Sequence, residues 1–179
     1  FLLPAVEADE LGRISNYRVL KLLGKGGMGV VFLAEDVALK RQCALKVMTP
    51  KQAGRTDGWP RFLREARILA NIKHENVVTV YQAGQEQDVA YIAMELLAGE
   101  TLGAWQSRQG TGRPDEAVRV GKGIAAGLSA VHKLGLVHRD IKPGNVWLEA
   151  PHGTVKLLDF GLARGVDDRS MTLHGTVLG

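Results

Sequence analysis

Apolar and polar positions alternate along the first half of the chain in the short runs expected of half-buried strands. Tyr17 to Leu23 is expected as one strand, and Val30 to Ala34, rich in β-branched and aromatic residues, as a second. The glycine-rich stretch Gly24-Lys25-Gly26-Gly27-Met28-Gly29 between them predicts a hairpin. Cys43 to Met48 predicts a third strand. The period then changes. Phe62, Ala66, Leu69 and Ala70 fall on one face at helical spacing, so a helix is expected over Trp59 to Ile72. Val77 to Tyr81 and Val89 to Met94 return to strand character around a polar loop.

After Gly99 the pattern is mainly helical. Leu102 to Gln109 predicts a short helix. Pro114 to Leu134 predicts a longer one, with proline in the first turn and Gly135 just past the end. Val118, Ile124, Leu128 and Val131 are expected to form its apolar face. Val146 to Leu148 and Val155 to Leu158, around Pro151-His152-Gly153, predict a small hairpin. The chain therefore divides near residues 96–100 into a β-rich part, 16–97, and an α-rich part, 98–179. Residues 1–15, with Pro4, Glu7, Asp9 and Glu10, read as a linker and lack the basic and apolar regions of a signal peptide.

Composition removes several classes of protein. The chain is 45% hydrophobic with a net charge of only +4, which disordered chains do not show. A single cysteine, Cys43, cannot form an internal disulfide and suits a reducing, cytoplasmic compartment. No stretch approaches the roughly 18–20 apolar residues of a membrane span. The basic residues form no block that would suit nucleic acid. The chain starts at Phe1 and ends at Gly179 in a polar stretch, so it is expected to be a segment of a longer protein, inactive or poorly folded alone.

Two stretches carry chemistry. Gly24-x-Gly26-x-x-Gly29 is followed by strand residues, which disfavours a dinucleotide fold, and it lacks the Gly-Lys-Ser/Thr of a Walker loop. It reads either as a hairpin whose backbone N–H groups approach phosphates or as an ordinary flexible turn. His138-Arg139-Asp140-Ile141-Lys142-Pro143-Gly144-Asn145 is more specific. It places a carboxylate, a cation and an amide in one short loop. Phosphoryl transfer needs a carboxylate to orient the attacking hydroxyl, a cation near the transferred group and an oxygen ligand for Mg²⁺. Asp159-Phe160-Gly161 follows with a second carboxylate for the metal and a glycine where the backbone can flex.

With Ala44-Leu45-Lys46 and the glutamate of Phe62-Leu63-Arg64-Glu65-Ala66, these motifs occur in an order that resembles the eukaryotic-type (Hanks-type) protein kinase family over nearly the whole chain. Gly26-Gly27-Met28-Gly29 and Ile141-Lys142-Pro143-Gly144-Asn145 are most similar to bacterial Ser/Thr kinases. The resemblance implies an α+β, two-lobed fold: a β-rich N-lobe with one helix over 16–97, and the first part of a mainly helical C-lobe over 98–179. It implies ATP and Mg²⁺ as cofactors and Ser/Thr hydroxyls of proteins, including the chain's own, as acceptors. The lysine at 142 favours Ser/Thr over tyrosine acceptors.

By the same resemblance, Gly24, Gly26, Gly27 and Gly29 cover the phosphates, Lys46 holds them and pairs with Glu65, and Asp140 is the catalytic base. Lys142 meets the γ-phosphate, and Asn145 and Asp159 are the Mg²⁺ ligands. Val31 and Ala44 roof the adenine, Met94 guards the back of the pocket, and backbone groups of Glu95 and Leu97 meet the adenine edge. Leu69, Val80, His138 and Phe160 stack between the lobes, which makes His138 structural. Arg139 before Asp140 implies control by a phosphorylated activation loop, with Thr172 first choice for the site and Thr176 and Ser170 behind it. Trp147 departs from the family, which more often has an aliphatic residue at this floor position. Its indole either stacks on the purine or fills core beside Leu148. Two rival readings stand beside the kinase: a non-catalytic scaffold of kinase-like fold, which the presence of Lys46, Asp140, Asn145 and Asp159 opposes, and a small-molecule kinase, whose loop typically lacks the Arg139 and Lys142 pattern.

Overall fold

The computed structural model describes residues 2–26, 29–48, 63, 66–87, 89–110 and 112–159. Among them, β1 (Gly12–Ile14), β2 (Tyr17–Gly26), β3 (Gly29–Asp36), β4 (Arg41–Val47), β5 (Val80–Glu86) and β6 (Val89–Met94) form one sheet. Its order is β1-β2-β3-β4-β6-β5, antiparallel throughout. A second, three-stranded sheet is built from β7 (Gly99–Thr101), β8 (Val146–Glu149) and β9 (Thr154–Leu157). Helices α1 (Leu102–Gln109) and α2 (Pro114–His132) and a 3₁₀ turn, Pro143–Asn145, accompany it. This is the expected α+β fold.

Side-chain alternation explains the large sheet. In β3, Val30, Phe32, Ala34 and Asp36 are buried while Val31, Leu33 and Glu35 are only partly so. The buried face meets Tyr17, Val19, Leu45, Val47 and Tyr91 in one core. A second core runs from Leu69 and Ile92 through Val77 and Val78 to Val131 and Leu157, and so joins the two sheets. The backbone reinforces that junction: the Val78 N–H donates to the Leu157 carbonyl at 3.1 Å, and the Leu157 N–H to the Asn76 carbonyl at 2.9 Å. The Asn76 side chain also donates to the Val155 carbonyl at 2.8 Å.

Helix ends follow local chemistry. The Thr101 hydroxyl accepts the Ala104 N–H at the start of α1. At the start of α2 the Glu116 carboxylate accepts the Arg113 N–H, with Pro114 in the first turn. The α2 helix lies close against β9. A Cβ built on Gly127 would stand 2.6 Å from the Asn76 carbonyl oxygen and 2.8 Å from a Leu157 methyl. Only glycine permits that approach.

Several expectations change. The expected linker, 1–15, contributes β1, which pairs with β2 from Gly12↔Val19 to Ile14↔Tyr17. Its acidic residues are not all solvated. The Glu10 side chain is buried, accepts the Val6 N–H, and pairs with Arg13 and Arg18 at 3.0 and 3.1 Å. Hydrogen bonds from Arg13 hold its carboxyl well below the usual range, at about 2. Strand β5 starts three residues later than expected and runs through Gln82, Gln85 and Glu86. It is an edge strand, so one of its sides tolerates polar residues. Val118 is exposed, whereas Val120, Gly127 and Val131 are buried. At about 100° per residue Val118 sits about 140° around the helix from Val131. Ala70 is likewise exposed, in the turn that follows helical residues 66–69.

Candidate active site

A cleft of about 540 Å³ is lined by both sheets, within the usual range of roughly 300–1,000 Å³ for small-molecule sites. The large sheet supplies Gly24, Gly26, Gly29, Val31, Ala44 and Lys46. Met94 to Leu97 form one wall, and Trp147, Leu158 and Asp159 come from the second sheet and its exit. Val31 lies directly across from Lys46 in the β3–β4 register, and Ala44 pairs with Met94.

The glycine-rich hairpin is two strands continued to their tip, with Gly24 opposite Val31 and Gly26 opposite Gly29. A Cβ on Gly24 or Gly26 would meet nothing within 4 Å, so the backbone there faces open space. Gly29 has a different reason to be glycine. Its φ is +132° and a Cβ would collide with the Val47 carbonyl, so the β3–β4 packing alone requires it. Gly27 lies outside the described residues.

Lys46 is buried in a strand whose neighbours Leu45 and Val47 are fully buried. Its ammonium is paired with the Asp159 carboxylate, 113 residues away. The expected partner Glu65 lies outside the described residues. Asp159 has φ +51° and Arg139 has φ +62°, so two of the site's residues occupy the left-handed region that side chains other than glycine, asparagine and aspartate rarely adopt.

The loop between α2 and β8 gathers its groups around Asp140. The Lys142 ammonium lies 2.7 Å from Asp140 Oδ2. The Asn145 amide donates to the same oxygen at 2.9 Å and to the Asp140 carbonyl at 2.8 Å. Asn145 thereby turns its nitrogen to Asp140, and its Oδ1 is the end that can ligate a cation. The Asn145 carbonyl accepts the Leu158 N–H at 2.9 Å, one residue before Asp159. One amide oxygen and one carboxylate are a donor set that suits Mg²⁺, which keeps several waters and takes substrate phosphate oxygens. Among the described residues no cluster of three or more His, Cys, Asp or Glu side chains forms a cage of its own.

His138 is fully buried and ties this loop to the strand before Asp159. Its Nε2 lies 2.7 Å from the Leu158 carbonyl, and its Nδ1 accepts the Asp140 N–H at 3.4 Å. A carbonyl can only accept, so Nε2 carries the proton. Burial pushes the imidazole below its ordinary pKa. Leu69 and Val80, expected in the same stack, are buried in the joining core. Phe160 and Gly161 lie outside the described residues.

The segment after Met94 is held from several sides. The Glu95 N–H donates to the Thr79 carbonyl at 3.0 Å, and its carboxylate accepts the Thr79 N–H at 2.7 Å. The same carboxylate receives Lys156 of β9 at 2.8 and 2.9 Å. Trp147 is pinned by its indole N–H to the Ala98 carbonyl at 3.0 Å. It is partly exposed and lines the cleft, so it is not sealed into core beside Leu148. Thr79 and Lys156 were not singled out from sequence. The alternation that marks Lys46 marks Lys156 as well, between the buried Val155 and Leu157.

The profile of the family described as "Protein kinase domain" matches residues 17–178. This chain belongs to the protein kinase family. It is 37% identical over 168 residues to the serine/threonine-protein kinase PrkC of Bacillus subtilis, covering 93% of this chain and 26% of that protein. It is 40% identical over 165 residues to the serine/threonine-protein kinase PknL of Mycobacterium tuberculosis, covering 92% and 41%. The chain thus spans between about a quarter and two fifths of the length of these relatives. The crystal structure of the Mycobacterium tuberculosis PknI kinase domain superposes with a TM-score of 0.80 at 29% identity, covering 89% of this chain and 64% of that one. The kinase fold therefore accounts for a β-rich lobe over a cleft that Gly144, Trp147, Leu158 and Asp159 line from the other side. The activation-loop candidates Ser170, Thr172 and Thr176 lie outside the described residues.

Proposed function

We propose that this chain forms the nucleotide-handling part of a serine/threonine protein kinase, which transfers the γ-phosphate of ATP to protein hydroxyls. The observation that carries the reading is the convergence of Lys142 and Asn145 on one carboxylate, Asp140, beside a cleft that also presents the Lys46–Asp159 pair. Residues 16–97 serve as the ATP-binding lobe and residues 98–179 as the front of the catalytic lobe.

Each side chain has a task. Val31, Ala44 and Met94 enclose the adenine, backbone groups of Glu95 and Leu97 meet its edge, and Trp147 is its floor. The Gly24–Gly29 hairpin and Lys46 hold phosphates. Asp140 orients the acceptor hydroxyl and takes its proton. Lys142, already at hydrogen-bond distance from Asp140, offsets negative charge on the group in transfer. Asn145 Oδ1 and the Asp159 carboxylate would hold Mg²⁺, which when bound neutralises charge on the phosphates. Glu65 steadies Lys46. Arg139 receives a phosphate on the activation loop, at Thr172 before Thr176 or Ser170.

The acceptors are Ser/Thr hydroxyls of protein substrates, including the kinase itself, and nucleic acid is not a partner. Among the described residues no helix is long and apolar enough to cross a membrane. The domain acts in the cytoplasm, whether or not the full-length protein is anchored to a membrane. The test is Asp140→Asn in the full-length protein. Autophosphorylation from labelled ATP should fall by at least about a hundredfold, the scale of a lost general base, while nucleotide binding persists. Unchanged autophosphorylation would reject Asp140 as the base.

A further inference from the structure

Trp147 and Lys156 are direct cross-strand partners in the β8–β9 register, so their side chains share one face of the small sheet. Both reach the same four-residue stretch. Trp147 bonds to the Ala98 carbonyl, and Lys156 bonds to both oxygens of the Glu95 carboxylate. The pair therefore grips the stretch 95–98 at its two ends. Lys156 is nearly buried, with side-chain exposures of 11% for the lysine and 17% for Glu95. A second carboxylate, Glu149, stands 4.0 Å from the ammonium. A desolvated lysine is costly unless paired, and a packed apolar residue would suffice if burial were its only role.

The placement of Lys156 says what the pair holds. Its chain neighbours Val155 and Leu157 anchor residues 76–78 through three hydrogen bonds. Glu95, at the other end, exchanges two hydrogen bonds with Thr79. Three residues after Lys156 comes Asp159, which meets Lys46 in the cleft. One largely desolvated charge pair thus links the wall that would meet the adenine edge to the strand that delivers the phosphate-end carboxylate.

We propose that Lys156 is a positioning residue for nucleotide binding: through Glu95 it sets the distance between residues 95–97 and the β9–Asp159 strand. The inference rests on the ATP-binding reading of this cleft. Both elements it connects contact the ground-state nucleotide, so its loss weakens binding more than it slows chemistry.

The experiment is steady-state phosphotransfer by the full-length protein with ATP varied. Lys156→Met should raise KM for ATP about tenfold with kcat within about threefold, and Lys156→Arg, which keeps the charge, should recover most of the affinity. An unchanged KM in Lys156→Met, or an equal rise in Lys156→Arg, overturns the proposal. Should Lys156→Met fail to fold because the Glu95 charge is left without its lysine, the double variant Lys156→Met, Glu95→Gln removes both charges and keeps an acceptor for the Thr79 N–H. It should melt near the wild type yet bind ADP about tenfold more weakly by calorimetry, and wild-type ADP affinity in that folded variant equally overturns the proposal. Wild-type protein that neither saturates with ATP nor transfers phosphate would instead defeat the kinase reading itself.

Discussion

Gly127→Ala places one methyl group where α2 meets β9, and two opposing effects decide its outcome. Alanine is a better helix former than glycine by about 1 kcal/mol. Against this, the new Cβ would stand 2.6 Å from the Asn76 carbonyl oxygen and 2.8 Å from a Leu157 methyl. The methyl can turn aside. The carbonyl cannot recede freely, because it accepts the Leu157 N–H at 2.9 Å and the Asn76 side chain is tied to Val155. Overpacking of this kind costs about 1–3 kcal/mol, and a stretched hydrogen bond about 1 kcal/mol more. The clash wins, and the net destabilisation should be about 2 kcal/mol. Gly121 on the same helix is the control. It is exposed and a Cβ there meets nothing within 4 Å, so Gly121→Ala should stabilise by up to about 1 kcal/mol. Equilibrium urea denaturation of both variants reads the difference, about 3 kcal/mol. A Gly127→Ala protein as stable as Gly121→Ala would refute the close packing of α2 on β9.

Acid should release the N-terminal segment. The Glu10 carboxyl is lowered from 4.5 to about 2, so its stabilisation is complete above pH 4.5 and is lost as pH falls toward about 2. Thermal melts should show the gap between wild type and Glu10→Gln closing across that window; a constant gap would contradict the buried carboxylate. His138→Leu keeps apolar bulk but removes the bonds to Leu158 and Asp140, at a cost of about 2 kcal/mol by denaturation, and kcat should fall more than KM for ATP rises. Because burial lowers the imidazole pKa, the neutral form's contribution is complete above pH 6.5 and declines below it. The leucine variant should lack that component of the pH–stability curve, and identical curves would argue against a buried neutral histidine.

What could be read along the chain was what is local. Strand β6 (Val89–Met94) and helix α1 (Leu102–Gln109) have the expected bounds, since period and caps lie within each segment. Asp140, Lys142 and Asn145 meet because they share one short loop. Long-range partners were less visible. Glu95 and Lys156 are 61 residues apart, and both types usually lie in solvent. Residues 1–15 looked like a linker because their acids suggest a wet surface, and only the arriving Arg18 of β2 together with Arg13 makes Glu10 tolerable inside. Val118 is apolar and helical but out of phase with the buried stripe, a mismatch that the helical spacing from Val131 already carries.

The single polar hydrogen of Trp147 is taken up by the Ala98 carbonyl. What the indole has left for a ligand is a flat, electron-rich ring face with no donor and no acceptor. Such a surface rewards any planar heterocycle of sufficient area and cannot tell an exocyclic amine from an oxo group. If the cleft takes ATP as proposed, discrimination between adenine and guanine would fall to the backbone of residues 95–97, whose donor and acceptor pattern would read the base edge. On that reading the floor would set how tightly a flat ring is held, and the wall would set which ring is accepted.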